Sequence, residues 1–339
     1  MRGSRVRVPF SAQEFTLPVF YLKLFVIMKH NFLLSFVAIA AGVFFAQCTS
    51  KKSEAPAEPI VTATDFRIVE DGGTGPFKAV MQEEPSLEMH TIFCPQDLQQ
   101  FGESNPLPVV VWGNGACYNS PFEHYLFLNE IASHGYIIVA SGYMPKEDEP
   151  YKFDTIRSTP DQQIESIDWI LAQNEDKNSP YYQRVDTKHI LAAGMSCGGL
   201  QTLENSADPR LSGIMICNSG LFSNPAGAVP GMPMPEKEKL NDIKVPVIYI
   251  LGGPEDIAYE NGMDDFHRIQ HVPAFAANFP VGHGGTYAQP NGGEFAVVAT
   301  AWLDWQTKGN EEAAKMFLGD PCGLSQREGW TTEKNDLLK

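Results

Sequence analysis

Among its 339 residues the sequence has no Cys-x-x-Cys pair and no His-Glu-x-x-His run. Neither common zinc pattern is therefore available. Basic residues are also scarce: 25 Lys and Arg stand against 41 Asp and Glu, for a formal charge of -16. That argues against a nucleic-acid partner, since phosphate binding needs a basic surface to release counterions. The one strongly apolar run, near the N-terminus, is short for a membrane span. The glycine-rich segment 112–117, WGNGAC, lacks the lysine of a phosphate loop. There is no internal repeat and no low-complexity block. A hydrophobic content of 43% suffices for one large core; the length permits two domains or one α/β domain with insertions, of which one is favoured.

What is present begins with an export pattern. Met28, Lys29 and His30 precede NFLLSFVAIAAGVFFAQC, giving residues 28–47 the charged start and short apolar stretch of a signal peptide. Cys48 stands where a lipoprotein is cleaved and lipidated. The segment FAQC departs from the usual motif, which favours Leu at its first position and Gly or Ala before the cysteine, so an uncleaved anchor or a simple signal peptide is the alternative. Residues 48–60 read as a polar, proline-containing tether. Because a signal should open its chain, Met28 is the expected start and residues 1–27 a mis-assigned upstream segment. Residues 61–339 are read as a single domain. Six cysteines suit an oxidising compartment, and with Cys48 lipidated at least one of the other five stays unpaired within the chain.

From about residue 60, short apolar runs alternate with amphipathic stretches, which predicts an α/β fold with helices on both faces of a mostly parallel sheet. Strands are expected at HTIFCP (90–95), LPVVVWG (107–113), YIIVASG (136–142), HILAAGMS (189–196), SGIMICNSG (212–220), VPVIYILGG (245–253) and VPAFAANFP (272–280). A helix is expected to start at Ser120 and Pro121, with Glu123 completing a capping box and Gly135 closing it. A second starts at Thr159-Pro160, and residues 292–309 form a long final helix. The Pro-, Gly- and Met-rich stretch 221–243 is either a minimal cap or an ordinary connection.

The chemistry centres on GMSCGG, residues 194–199, at the end of a predicted strand. Its G-x-S-x-G spacing turns a strand sharply into a helix and exposes the hydroxyl of Ser196 at the bend. A serine hydroxyl is a weak nucleophile unless an imidazole takes its proton and a carboxylate orients that imidazole. In this architecture the order along the chain is Ser, then acid, then His. After VPVIYIL the loop offers Glu255 and Asp256, of which Asp256 is preferred. After VPAFAANFP, His283 stands between glycines in VGHGGTY. His90, His124, His134, His189, His267 and His271 lack that setting and are read as structural. The helical spacing of His267 and His271 lacks a third ligand. An oxyanion hole requires one N–H from the residue after the serine, Cys197, and one from an early loop. WGNGAC supplies the latter, with Ala116 preferred and Gly115 next.

On WGNGAC, ASHGYIIVASGY, GMSCGG, GGPEDIAY and GHGGTY, the sequence resembles the α/β-hydrolase superfamily, in the dienelactone-hydrolase and cutinase-like polyester-hydrolase neighbourhood. The resemblance spans residues 85–325. It implies Ser196 as nucleophile, Asp256 as orienting acid and His283 as general base, with no metal or organic cofactor. Cys117 and Cys197 depart from many relatives. Both are expected beside the oxyanion, so a disulfide between them is preferred to two buried free thiols. The implied activity is carboxylic ester hydrolysis through an acyl-enzyme, on a small or polymer-borne ester. The protein is expected to be exported, as a lipoprotein on a bacterial membrane or in periplasmic or secreted form, and to touch a membrane only through its lipid. An acyltransferase or a prolyl-type peptidase would use the same triad, and a non-catalytic surface-lipoprotein binding module is the alternative of a different class. Tyr143, Met144, Tyr151, Met232 and Met234 are candidate pocket walls.

Overall fold

Short runs of Val, Ile, Leu and Ala become strands covered on both sides, and these set the architecture. The computed structural model describes residues 66–145, 156–223 and 231–339. The segment 1–27, the signal 28–47, Cys48, the tether 48–60 and Tyr151 lie outside the described residues.

The strands are β1 (Phe66–Arg67), β2 (Ala79–Glu83), β3 (His90–Pro95), β4 (Leu107–Gly113), β5 (Ile137–Ser141), β6 (Val185–Met195), β7 (Leu211–Cys217), β8 (Val247–Leu251), β9 (Ala274–Asn278) and β10 (Thr331–Lys334). The helices are α1 (Tyr125–Ser133), α2 (Pro160–Glu175), α3 (Cys197–Glu204), α4 (Tyr259–Arg268), α5 (Gly293–Lys308) and α6 (Glu311–Ala314). One sheet runs in the order β1-β2-β3-β5-β4-β6-β7-β8-β9-β10. Strands β4 to β9 are parallel to their neighbours within that set, and β1, β2, β3 and β10 pair antiparallel at the flanks. This is the α/β-hydrolase arrangement.

Side-chain alternation splits each central strand between two cores. Along β4, Val110 and Trp112 face the layer of α1 and α5, while Leu107, Val109 and Val111 face that of α2, α3 and α4. Each such buried side chain stabilises the fold by about 1.5–3 kcal/mol relative to exposure. Helix α2 starts at Thr159-Pro160 as expected, with the Thr159 N–H donating to Gln162 Oε1 at 3.0 Å.

Three expectations need correction. Helix α1 starts at Tyr125 rather than at Pro121. Ser120 Oγ accepts from the Phe122 N–H at 3.3 Å, and the His124 N–H donates to the Pro121 carbonyl at 2.9 Å. Ser120 thus caps a tight turn that precedes the helix. Gly135, at φ +86, does close α1. Second, α5 is not the final element, since α6 and β10 follow it. Third, β1, β2 and β10 are additional strands. β10 is the polar sequence TTEK on a sheet edge, where no buried face imposes apolar alternation.

The sheet order reverses beside β4, whose neighbours are β5 on one side and β6 on the other. Crevices in open α/β sheets form outside the carboxyl ends of strands at such a reversal. Gly113 of β4 and Gly194 of β6 are in register there, so the loops that follow these strands leave the sheet side by side.

Candidate active site

Ser196 occupies the bend between β6 and α3 at φ 52, ψ -115, a conformation that an L-residue adopts only when its surroundings enforce it. The enforcement is steric. A Cβ on Gly198 would lie 2.0 Å from the Gly113 carbonyl oxygen, and one on Gly194 would lie 2.3 Å from Gly198 C. Only glycines let the strand, the bend and the loop after β4 approach this closely.

His283 reaches this bend from the loop after β9. Its Nε2 lies 3.0 Å from Ser196 Oγ, and its Nδ1 lies 2.6 Å from Asp256 Oδ1. Asp256, from the loop after β8, is 4% exposed. Its Oδ1 also accepts from the Ala258 N–H at 2.9 Å, and its Oδ2 accepts from the Gly252 N–H at 3.0 Å and Asn218 Nδ2 at 2.7 Å. Burial pushes this carboxyl up, but the bonds from His283, Ala258, Gly252 and Asn218 together outweigh it and hold the group below its ordinary value. A carboxylate so held stays ionised opposite the imidazole. The neighbouring Glu255 is exposed and contacts neither His283 nor Ser196 among the described residues.

The loop after β4 places Ala116 at φ 50 and Cys117 at φ 51. Its carbonyls are engaged: Gly115 O accepts from the Tyr118 N–H at 2.9 Å, Cys117 O from the Ser158 N–H at 2.8 Å, and Ala116 O from Arg157 Nη1. Among the described residues neither the Ala116 nor the Cys197 N–H has an acceptor. A disulfide joins Cys117 to Cys197, with the Cα atoms 5.1 Å apart. It ties the loop after β4 to the first residue of α3. Cys94, Cys217 and Cys322 are buried free thiols.

None of the other described histidines is hydrogen-bonded to Ser196 or Asp256. His267 pairs with Glu333 at 2.9 Å, and His271 lies 2.9 Å from the Ile243 carbonyl, so the two face different partners. His124 is buried, and burial lowers it to about 3, which keeps it neutral. Met144 belongs to the core beside α1 and α5 rather than to a pocket wall, and Met232 packs against the opposite core. Tyr143 and Met234 are exposed. A concavity of 730 Å³ lies at the other end of the sheet, lined by Glu103, Asn174, Tyr182, Asp186, Lys188 and His189. Thr187 and His189 both line it, but among the described residues that imidazole meets Asp186 at 2.7 Å and no hydroxyl, whereas at the bend His283 meets Ser196 Oγ.

Two residues in contact with the site were not singled out by sequence reasoning. Asn218, just past β7, donates to Asp256, and Tyr287, four residues after His283, donates to Asn218 Oδ1. Position at a strand end was the only local signal for the first. For the second there was none.

Residues 118–262 match the family model described as PETase, PET hydrolase-like. The matched span contains Ser196 and Asp256 and ends before His283. No curated protein matches the chain.

Proposed function

Taking as premise an α/β-hydrolase of the cutinase-like, polyester-hydrolase neighbourhood that acts on ester bonds, we propose that it works through an acyl-enzyme on Ser196. The observation that carries this reading is the double contact of His283, 3.0 Å from Ser196 Oγ and 2.6 Å from Asp256 Oδ1. Ser196 Oγ attacks the ester carbonyl while His283 Nε2 takes its proton. Asp256 holds the Nδ1–H and stabilises the imidazolium as it forms. The tetrahedral oxyanion sits against the N–H groups of Cys197 and of Ala116, with Gly115 the alternative second donor. His283 then protonates the departing alcohol. Water, deprotonated by the same imidazole, attacks the acyl-serine carbonyl, and the acid leaves as Ser196 regains its proton.

The Cys117–Cys197 disulfide holds the two donor loops at fixed separation, so the hole is arranged before substrate arrives. Ile257 and Val281 are exposed apolar side chains next to the acid and two residues before the base. They favour an ester with an apolar, extended body, as in a polymer. The export signal at 28–47 and Cys48 support an enzyme held outside the cytoplasm on a lipid anchor, where such a substrate is met.

Intact-mass analysis after fluorophosphonate treatment tests the mechanism. One adduct is expected on the mature protein and none on Ser196→Ala, with hydrolysis of soluble acetyl and longer acyl esters lost in the same variant. An adduct that persists in Ser196→Ala, or none on folded protein, overturns the reading.

A further inference from the structure

Asp256 is held from behind by a second pair of side chains. Asn218 is fully buried and sits at φ 42, a left-handed conformation that asparagine tolerates better than most residues. Its backbone N–H donates to the Ile250 carbonyl at 2.8 Å. Its Nδ2 donates to Asp256 Oδ2 at 2.7 Å and reaches the carbonyl of Gly282, the residue before His283, at 3.4 Å. The amide thus touches both the acid and the loop that carries the base.

An amide can present either its oxygen or its nitrogen to a neighbour, and an oxygen turned toward Asp256 would repel the carboxylate. Tyr287 decides between the two. Its hydroxyl donates to Asn218 Oδ1, and burial pushes the phenol well above its ordinary range, so it remains a donor. With a donor on one side and an acceptor-only carboxylate on the other, a single orientation of the amide satisfies both.

The ring of Tyr287 is in turn caged. It makes edge contacts with Trp112, His124, Phe127 and Phe295 at centroid distances of 6.4, 5.0, 5.2 and 5.4 Å. Gly285, at φ +55, leaves the room this requires, since a Cβ there would lie 2.5 Å from the Tyr287 ring. Trp112 is the penultimate residue of β4 and His124 precedes α1. Three of the four cage residues, Trp112, His124 and Phe127, therefore come from the elements that flank the loop carrying Ala116, and Phe295 comes from α5.

We infer that Tyr287 and Asn218 are positioning residues, acting in series on Asp256 and through it on the orientation of His283 toward Ser196. The inference rests on the acyl-enzyme reading above and extends it to two side chains that touch no substrate. A hydrogen bond to a charged group is worth more than one between neutral groups, so Asn218 carries the larger effect. The Tyr287 hydroxyl also meets the buried Cys217 thiol, and its loss reaches Asp256 by freeing Asn218.

The test uses the mature protein, Tyr287→Phe, Asn218→Gly and the double variant. Glycine tolerates the left-handed backbone at 218, and phenylalanine keeps the caged ring. On a soluble p-nitrophenyl ester, Tyr287→Phe is expected to lower kcat about 10-fold and Asn218→Gly about 10- to 100-fold, with KM unchanged. The double variant is expected to match Asn218→Gly alone, because the pair acts in series. The far-downfield proton resonance of the His283 Nδ1–H should shift or exchange faster in both single variants, a change that loss of packing elsewhere would not produce. Unchanged kcat and resonance, a loss carried wholly by KM, or additive effects in the double variant would each overturn the inference. Should either single variant fail to fold, the other carries the test through kcat and the resonance. Fluorophosphonate labelling of the unmodified protein separates the two levels: no adduct removes the acyl-enzyme reading, whereas an adduct with unaltered variants removes only the positioning role.

Discussion

Glu84 and Asp256 are carboxyls that their neighbours drive in opposite directions. Burial is the largest influence on each and pushes both up. At Asp256, hydrogen bonds to His283, Ala258, Gly252 and Asn218 outweigh it. At Glu84 the opposition comes from Tyr181 at 3.5 Å and Gln82 at 3.1 Å, and the group rises from 4.5 to about 7. Asp256, depressed in the folded state, stabilises the fold above its unfolded value, and that contribution is lost as pH falls through the lowered value. Glu84 has the reverse sign. Its ionisation costs the fold nothing below the unfolded value, costs more as pH rises, and reaches its full penalty above about 7. Glu84→Gln should therefore raise the melting temperature by about 3 °C at pH 8 and leave it unchanged at pH 4. Calorimetry at both pH values checks this, and equal shifts at the two would refute it.

The loop after β4 and the bend into α3 act as one unit because Gly113, Gly198 and the Cys117–Cys197 disulfide hold them together. The disulfide closes a separation of 80 residues, so its removal should cost about 2–4 kcal/mol of stability. Replacing both cysteines by serine is expected to lower the melting temperature and kcat together, since the two N–H donors would then move independently. Peptide mass mapping without reductant provides the direct check, and two free thiols would remove the basis for the expectation. Elements such as β4, β5 and α2 were legible in the sequence because buried apolar runs and a Thr-Pro start are local signals. Ser196 and His283 were legible for a related reason, each following such a run among glycines. The choice between Glu255 and Asp256 was not, since it depends on which side chain turns inward to Asn218 and His283. The start of α1 is not legible, because Ser120 caps equally well a helix or the turn found there. Tyr287 stayed hidden because its role is defined by residues distant in sequence.

For the whole molecule, the formal charge of -16 and the proposed lipid at Cys48 bear on where the enzyme works. Metabolic labelling with a fatty-acid analogue should mark the full chain and not Cys48→Ala, and the variant should move from the membrane fraction to the soluble one. Equal labelling of both would set the anchor aside. Among the described residues one end of the sheet is β10, four residues long, with Glu333 engaged by His267 and Lys334 by the Gly319 carbonyl. Unpaired strand edges are the usual template on which one chain recruits another into fibrous aggregates. A short, charged edge such as β10 gives an incoming strand little to register against, and the shared negative charge keeps copies apart. An array of these enzymes packed at high density should thus stay a population of separate molecules rather than grow into a continuous sheet.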